Sequence, residues 1–345
     1  MNRDFWRNRR VFLTGHTGFK GSWLALWLTR LGAIVTGYAL APEGAPNLFD
    51  AARAGDGVES VIADVRDARA LRDALAASGA EVVFHLAAQA LVRESYANPV
   101  DTYATNVMGT VNLLEAVRSS AHVRSVVVVT SDKCYVNREW RWPYREDEPL
   151  GGHDPYSSSK ACQELVASAY RASFAQNARI ATARAGNVIG GGDGAKDRLV
   201  PDLVRAFSSG TAAVIRNPLA IRPWQHVLEP LHGYLLLAEA LFDEDRYADA
   251  WNFGPYDHDV RPVHAIADAL AARWGGGARW TRDEAAHPHE AMTLKLDSSR
   301  ARALLRWSPR LSVDDALEWI VEWHQDSDAR AVTLAQIGRY EDLQS

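Results

Sequence analysis

A short apolar run, Val11-Phe12-Leu13-Thr14, leads straight into Gly15-His16-Thr17-Gly18-Phe19-Lys20-Gly21, and apolar residues at helical spacing follow. Strand, glycine turn and helix in that order restrict the fold more than anything else in the chain. Glycines let the backbone turn tightly and approach a pyrophosphate, and the helix N-terminus carries the partial positive charge that such an anion seeks. The spacing is G-x-x-G-x-x-G rather than the G-x-G-x-x-G of the common dinucleotide fingerprint. The helix is expected over 22–31, with Trp23, Leu24, Leu26, Trp27 and Leu31 on its apolar positions and Gly32 as its cap. Gly15, Thr17, Gly18, Phe19, Lys20 and Gly21 are the candidate cofactor contacts of this turn.

The alternation continues. Further strands are expected at 34–38, 61–65, 82–86, 125–129 and 180–184, with helices at 66–77 and 99–117 between them. The fold class is α/β: a Rossmann-type doubly wound parallel sheet with a smaller mixed α/β substrate-binding domain. The end of the second strand, Tyr38-Ala39-Leu40, offers neither the acidic residue that holds ribose hydroxyls nor an Arg for a 2′-phosphate. This position leaves NAD and NADP both open. Asp64 can accept a bond from an adenine amino group or be a solvated loop carboxylate, with Val65 beside it. After the fourth strand, Leu86, Ala87 and Ala88 leave room for a cofactor, and Gln89 is the first side chain able to reach a substrate. Asn106 lies mid-helix among apolar positions, as a satisfied core amide or as a group holding a water near the catalytic centre, and is a candidate cofactor contact.

Composition narrows the function. The 345 residues are 47% hydrophobic and 23% charged with net charge −5 and no basic run, which argues against a nucleic-acid partner. The two cysteines, Cys134 and Cys162, suit a reducing compartment. No signal-peptide pattern, membrane-length apolar run or metal-ligand spacing is present, so a cytoplasmic protein with no membrane partner and no metal is expected.

The chemistry is expected at the carboxyl ends of the strands. The β-branched run Val126-Val127-Val128-Val129 ends in Thr130-Ser131-Asp132-Lys133-Cys134-Tyr135, a hydroxyl, a carboxylate and an ammonium in a row. Asp154-Pro155 then opens a helix as N-cap and first helical residue, which puts Tyr156 and Lys160 on one face. Phenol and ammonium titrate near pH ~10 and ~10.4 in isolation, and an adjacent ammonium favours the phenolate. The pair is thus expected to make Tyr156 a usable base. Further on, Arg198 and Arg222 form a possible clamp for a second diphosphate, or are ordinary surface charges, and His226 is another donor.

The chain resembles the extended short-chain dehydrogenase/reductase family of NAD-dependent epimerases and dehydratases over nearly its whole length. The likeness rests on Gly15 to Leu24, Thr130 to Tyr135, Arg184-Ala185-Gly186-Asn187-Val188-Ile189-Gly190-Gly191-Gly192-Asp193 and Ile221-Arg222-Pro223-Trp224-Gln225-His226-Val227. Within the family it is narrowest to the 4,6-dehydratases that act on CDP-glucose, which implies NAD as cofactor and CDP-glucose as substrate. It also implies a place in deoxysugar biosynthesis, as for O-antigen lipopolysaccharide, and a homodimer or homotetramer built on the helices from Pro99 and Pro155. The catalytic set it implies is Ser131, Asp132, Lys133, Tyr156 and Lys160, with Gln89, Ser131, Asn187, Arg198, Arg222, His226 and His289 around the substrate. Many relatives carry Thr-Asp-Glu where this chain has Ser131-Asp132-Lys133, so Lys133 is either the C5 base or an orienting charge. The division expected is 1–186 with about 225–260 for NAD, 187–224 with 261–330 for the nucleotide sugar, and 331–345 as a tail. A 4-epimerase, a dehydratase for another nucleotide-hexose and a non-catalytic dinucleotide sensor are the competing readings.

Overall fold

The computed structural model describes residues 1–44, 46–174, 178–285 and 291–343. Twelve strands run through these residues. They are β1 Arg10–Thr14, β2 Ile34–Ala39, β3 Val58–Ile62, β4 Val82–His85, β5 Ser125–Val129, β6 Arg179–Ala185, β7 Asn187–Ile189, β8 Ala213–Ile215, β9 Ile221–His226, β10 Ala250–Phe253, β11 Val260–Pro262 and β12 Trp280–Arg282. Seven form one sheet in the order β3-β2-β1-β4-β5-β6-β10, with every pairing parallel. Two small sheets, β11-β9-β7 and β12-β8, make up the rest.

The continuous apolar strands follow from this layering. In β5, Val127 and Val129 face one core and Val126 and Val128 the other, and all four are buried. Side chains alternate along a strand, so a sheet covered by helices on both faces needs apolar residues at every position. β1 behaves the same way, with Val11 and Leu13 on one side and Phe12 on the other.

Several boundaries differ from those expected. The first long helix, Phe19–Arg30, starts inside the glycine turn because Gly18 already serves as its N-cap. β3 ends at Ile62, before Asp64, because its ladder to β2 closes at Ala39 opposite Ile62. The helical stretch from Pro99 to Arg118 is continuous but widens into a π turn over Ala104–Met108, with Asn106 at its centre. A second π turn lies near the C-terminus, over Ala301–Leu305.

The largest correction concerns the C-terminus. Residues 331–345, expected as a tail, lie mostly in a helix, Ala329–Asp342, whose Val332, Ile337 and Tyr340 join the main core. The Tyr340 hydroxyl donates to the buried Glu229 carboxylate at 2.7 Å, and Glu341 accepts from Trp27 Nε1 at 2.9 Å. The stretch looks polar because its inward residues are few and widely spaced. Ile337→Ala is therefore expected to lower the unfolding free energy by about 2–5 kcal/mol in urea titration. A loose tail would give a change within about 0.5 kcal/mol.

Candidate active site

The sheet order reverses between β1 and β4, and this opens a crevice at their carboxyl ends, where such folds bind ligands. The glycine turn lies there. Gly15 has φ +77°, and a Cβ on it would stand 2.7 Å from the Ala87 amide nitrogen. A Cβ on Gly21 would stand 2.0 Å from the Gly15 carbonyl oxygen. Gly18 caps the helix without any side-chain bond to its first amides. Those amides, at a helix N-terminus beside the side chain of Lys20, suit the pyrophosphate of a dinucleotide.

Other residues of the turn secure its shape. Thr17 Oγ1 donates to the Leu40 carbonyl at 2.9 Å, and Phe19, Leu86 and Ala88 line the cleft. Ala87 donates its amide to Thr14 Oγ1 at 3.1 Å. Val65 packs under the helix against Gly109. The Asp64 carboxylate is held by Arg66, with Nε at 2.8 Å and Nη2 at 2.6 Å from Oδ2. That bond to Arg66 keeps it below the usual carboxylate range, so Asp64 is an ionised loop group with a cation already attached.

An open cleft is lined by Lys20, Ser131, Asp132, Lys133, Tyr156, Lys160, Asn187, Arg198 and Arg222. Asp154 caps the helix of Tyr156 by accepting the Ser157 amide at 2.9 Å, with Pro155 in the first helical position. Tyr156 and Lys160 consequently share a face. Ser131 Oγ donates to Asp132 Oδ1 at 3.0 Å and accepts the Lys133 amide at 3.2 Å, which folds the three residues into a tight turn. The Nζ atoms of Lys133 and Lys160 stand 6.0 and 5.9 Å from the Tyr156 ring centre.

Burial controls the protonation states here. It lowers Lys160 to about 7, helped by the neighbouring Lys20, and Lys160 Nζ donates to the Val129 carbonyl at 3.4 Å. Lys20 falls to about 8 through burial and the Arg198 charge, with Asp132 and Asp193 opposing. Tyr156 rises to about 12, because burial outweighs a hydrogen bond with Ser131 and the Arg198 charge. The expected lowering of the Tyr156 pKa by Lys160 is thus not found: both groups lose hydration, and each is driven toward its neutral form. Burial also raises Asp132 against the charges of Lys133, Arg222 and Lys20. Asp132 Oδ2 is buried and has no hydrogen-bond partner among the described residues, which makes it the place for a transferable proton.

On the far wall, Arg198 pairs with Asp193 at 3.1 Å and Arg222 donates to the Ile221 carbonyl at 2.9 Å, and both side chains face the cleft. Three residues expected at the ligand lie elsewhere. Gln89 Nε2 donates to the Leu91 carbonyl and to Thr102 Oγ1, at 3.0 and 2.9 Å, so its side chain braces its own loop instead of reaching a substrate. Asn106 Oδ1 accepts the Gln89 amide at 2.8 Å, while its Nδ2 donates to the Gln89 carbonyl and to Ser159 Oγ, so it ties this loop to the Tyr156 helix from within the core. His226 is buried between Trp23 and Trp319, and burial lowers it to about 3, so it is a neutral core ring. His289 lies outside the described residues.

One further cluster carries no signal in the sequence. Asp197, held at φ +61°, pairs with Arg216 at 2.5 Å and stands 3.6 Å from Arg93, and all three line the cleft. Arg93 lies in the short helix Val92–Ala97 and the other two in loops, and only the fold brings them together. Among the described residues no group of three or more His, Cys, Asp or Glu is arranged to hold a metal, and no helix is long and apolar enough to cross a membrane.

Comparison with known proteins agrees with this geometry. The model of the family described as GDP-mannose 4,6 dehydratase matches residues 12–320. The chain belongs to this dehydratase family. It is 54% identical to the CDP-glucose 4,6-dehydratase of Salmonella typhimurium, over 94% of this chain and 93% of that one. A dTDP-glucose 4,6-dehydratase from Bacillus anthracis, solved with NAD, superposes with a TM-score of 0.77 at 20% identity, covering 92% of this chain and 97% of that one. A UDP-glucose 4-epimerase from Thermotoga maritima, solved with UDP-glucose, reaches 0.79 at 20% identity over 91% and 97%. At that identity the two structures speak for the family fold alone.

Lys160 has a stability signature. Its folded pKa, about 7, lies below its ordinary value of 10.5, so between these the unfolded chain holds a proton that the folded chain lacks. This group's contribution therefore makes stability rise with pH across that window. Lys160→Met is expected to flatten the rise and to add about 1–3 kcal/mol at pH ~8 in denaturant titrations. An unchanged slope would contradict the burial of the charge.

Proposed function

We propose that this protein converts CDP-glucose to CDP-4-keto-6-deoxyglucose and water, using NAD that is regenerated in each turnover. The observation that carries this reading is Asp132, whose pKa burial raises and whose second carboxylate oxygen is unpartnered, in one turn with Lys133 and Ser131 and across from Tyr156. An epimerase works at C4 only and has no use for an acid and a base beside the hydroxyl. Identity of 54% over almost the full length supports cytidine as the nucleoside, and the NAD complex of the Bacillus anthracis protein supports the cofactor. The glycine turn, the first helix amides after Gly18 and the Lys20 side chain would hold the pyrophosphate, and Asn187, Arg198 and Arg222 the diphosphate of the sugar nucleotide.

Bound NAD supplies an acceptor for the C4 hydrogen and a donor to C6. The chain supplies the rest. Tyr156 receives the 4-hydroxyl proton; the hydrogen bond with Ser131 and the Arg198 charge favour the phenolate, while burial opposes it. Ser131 also hydrogen-bonds the new carbonyl oxygen, which acidifies the C5 hydrogen. Lys133, as the free amine, takes that proton and Asp132, as the acid, protonates the departing 6-hydroxyl, so the two groups act on adjacent carbons, and C5 regains a proton from solvent after water has left.

Several finer features belong to the same reading. Residues 1–186 with about 225–260 form the cofactor part, and 187–224 with 261–330 the sugar-nucleotide part. Val100 and Leu165 are 79% and 57% exposed, and Met108 and Phe174 are exposed too, all within or just after the two helices from Pro99 and Pro155. An apolar face of this kind favours a homodimer, with a tetramer as the next possibility. The protein would act in the cytoplasm, making a deoxysugar precursor for a surface polysaccharide such as O-antigen lipopolysaccharide.

Incubation in D2O with CDP-, UDP-, dTDP- and GDP-glucose, read by mass spectrometry, tests the reaction and the base. CDP-glucose alone should lose water and gain one deuterium at C5; water loss from a different nucleotide would overturn the base assignment, and isomerised sugar without water loss would favour an epimerase. Lys133→Met should abolish exchange at C5 while leaving NAD content unchanged, and retained exchange would leave Lys133 an orienting charge. Asp132→Asn should lower kcat by about 10²–10⁴-fold, with KM little altered, in steady-state assays.

A further inference from the structure

The helix row that carries Tyr156 and Lys160 reaches Glu164 one turn later, since residues four apart stack on one face. Glu164 is buried and has no place in the reaction. Arg184 on β6 meets it with two parallel bonds, Nε to Oε1 at 2.9 Å and Nη2 to Oε2 at 2.8 Å, and both side chains are buried. The same carboxylate accepts from Thr130 Oγ1 and, at 2.6 Å, from Thr182 Oγ1. Arg184 Nη1 donates to the Tyr135 hydroxyl at 2.7 Å and to the Glu146 carbonyl at 3.0 Å. The Tyr135 hydroxyl donates in turn to Asn252 Oδ1 at 2.7 Å, on β10.

Thr130 and Tyr135 flank the turn of Ser131, Asp132 and Lys133 on its two sides. One buried ion pair therefore touches both ends of that turn, the helix of Tyr156 and Lys160, and the two last strands of the sheet. A buried pair is costly beside apolar packing unless every lone pair and proton is used, and what it offers in return is fixed geometry. The planar fork of an Arg on a carboxylate sets both distance and angle. Although burial pushes the Glu164 carboxyl up, Arg184 and the two threonine hydroxyls hold it below its ordinary value, so the pair is ionic.

We propose that the Glu164–Arg184 pair is the positioning device that sets the Ser131–Asp132–Lys133 turn against Tyr156 and Lys160, and so keeps oxidation at C4 coupled to elimination across C5 and C6 on one bound sugar. Neither residue touches the substrate. This rests on the dehydratase reading above.

The test compares wild type, Glu164→Gln, Arg184→Lys and Tyr135→Phe on CDP-glucose, with thermal unfolding and NAD content measured for each. Borodeuteride added during turnover traps any released 4-keto hexose that has not lost water. Glu164→Gln and Arg184→Lys, which keep size or charge but lose the fork, should lower kcat for water loss about tenfold or more, with KM within about twofold. They should also release trapped, undehydrated ketone that wild type does not. Tyr135→Phe leaves the ion pair intact and should show the same uncoupling to a smaller degree, which decides the matter if Glu164→Gln does not fold. Wild-type kcat with no trapped ketone in the folded variants overturns the proposal, as does a loss of rate that follows thermal stability alone. A wild-type protein that eliminates water from no nucleotide-glucose overturns the reading beneath it before any variant is compared.

Discussion

Four ionisable side chains share one buried wall, and the loss of their hydration governs the site. Lys20, Asp132, Tyr156 and Lys160 are each driven toward the uncharged form by burial. A neutral Asp can give a proton, and a neutral Lys can accept one, at a pH where both would be charged in water. The usual account of a Tyr/Lys pair has the ammonium lowering the phenol. Here the ammonium is itself unstable, and Tyr156 remains a phenol until a ligand changes its surroundings. What the wall stores is a set of protons near the point of transfer.

The scaffold makes that wall by placing the ends of β1, β4, β5 and β6 side by side. Strand order decides it: β5 delivers Ser131, Asp132 and Lys133 next to β4, while the helix after it returns with Tyr156 and Lys160. The glycine turn after β1 completes the other half of the cleft. Asn106 shows how the core serves the site, since its π turn lets one amide hold both the carbonyl and the amide of Gln89.

Much of this was legible in the residues. Val126 to Val129 could only be a strand covered on both faces, and Asp154-Pro155 announced the helix that aligns Tyr156 with Lys160. Such signals are local: period, cap and turn act within a few residues. Gln89 and His226 were misjudged because their partners come from elsewhere; the indoles of Trp23 and Trp319, which enclose His226, are far apart in the chain. The C-terminal helix was missed because its apolar face is sparse, and its anchor, Glu229, is itself an unexpected buried acid. Asp197 with Arg93 and Arg216 left no trace at all, because three single charges far apart in the chain look like surface.

The central claim is that burial, and not pairing, sets the charge of the catalytic wall. It is tested most directly by an NMR titration of ¹³Cε-labelled lysine in the ligand-free protein, with Lys160→Met used to assign the resonance. The account predicts a Lys160 titration near pH 7. A midpoint near the ordinary value of about 10.4 would contradict it, and would return to Lys160 the role of a permanent cation beside Tyr156.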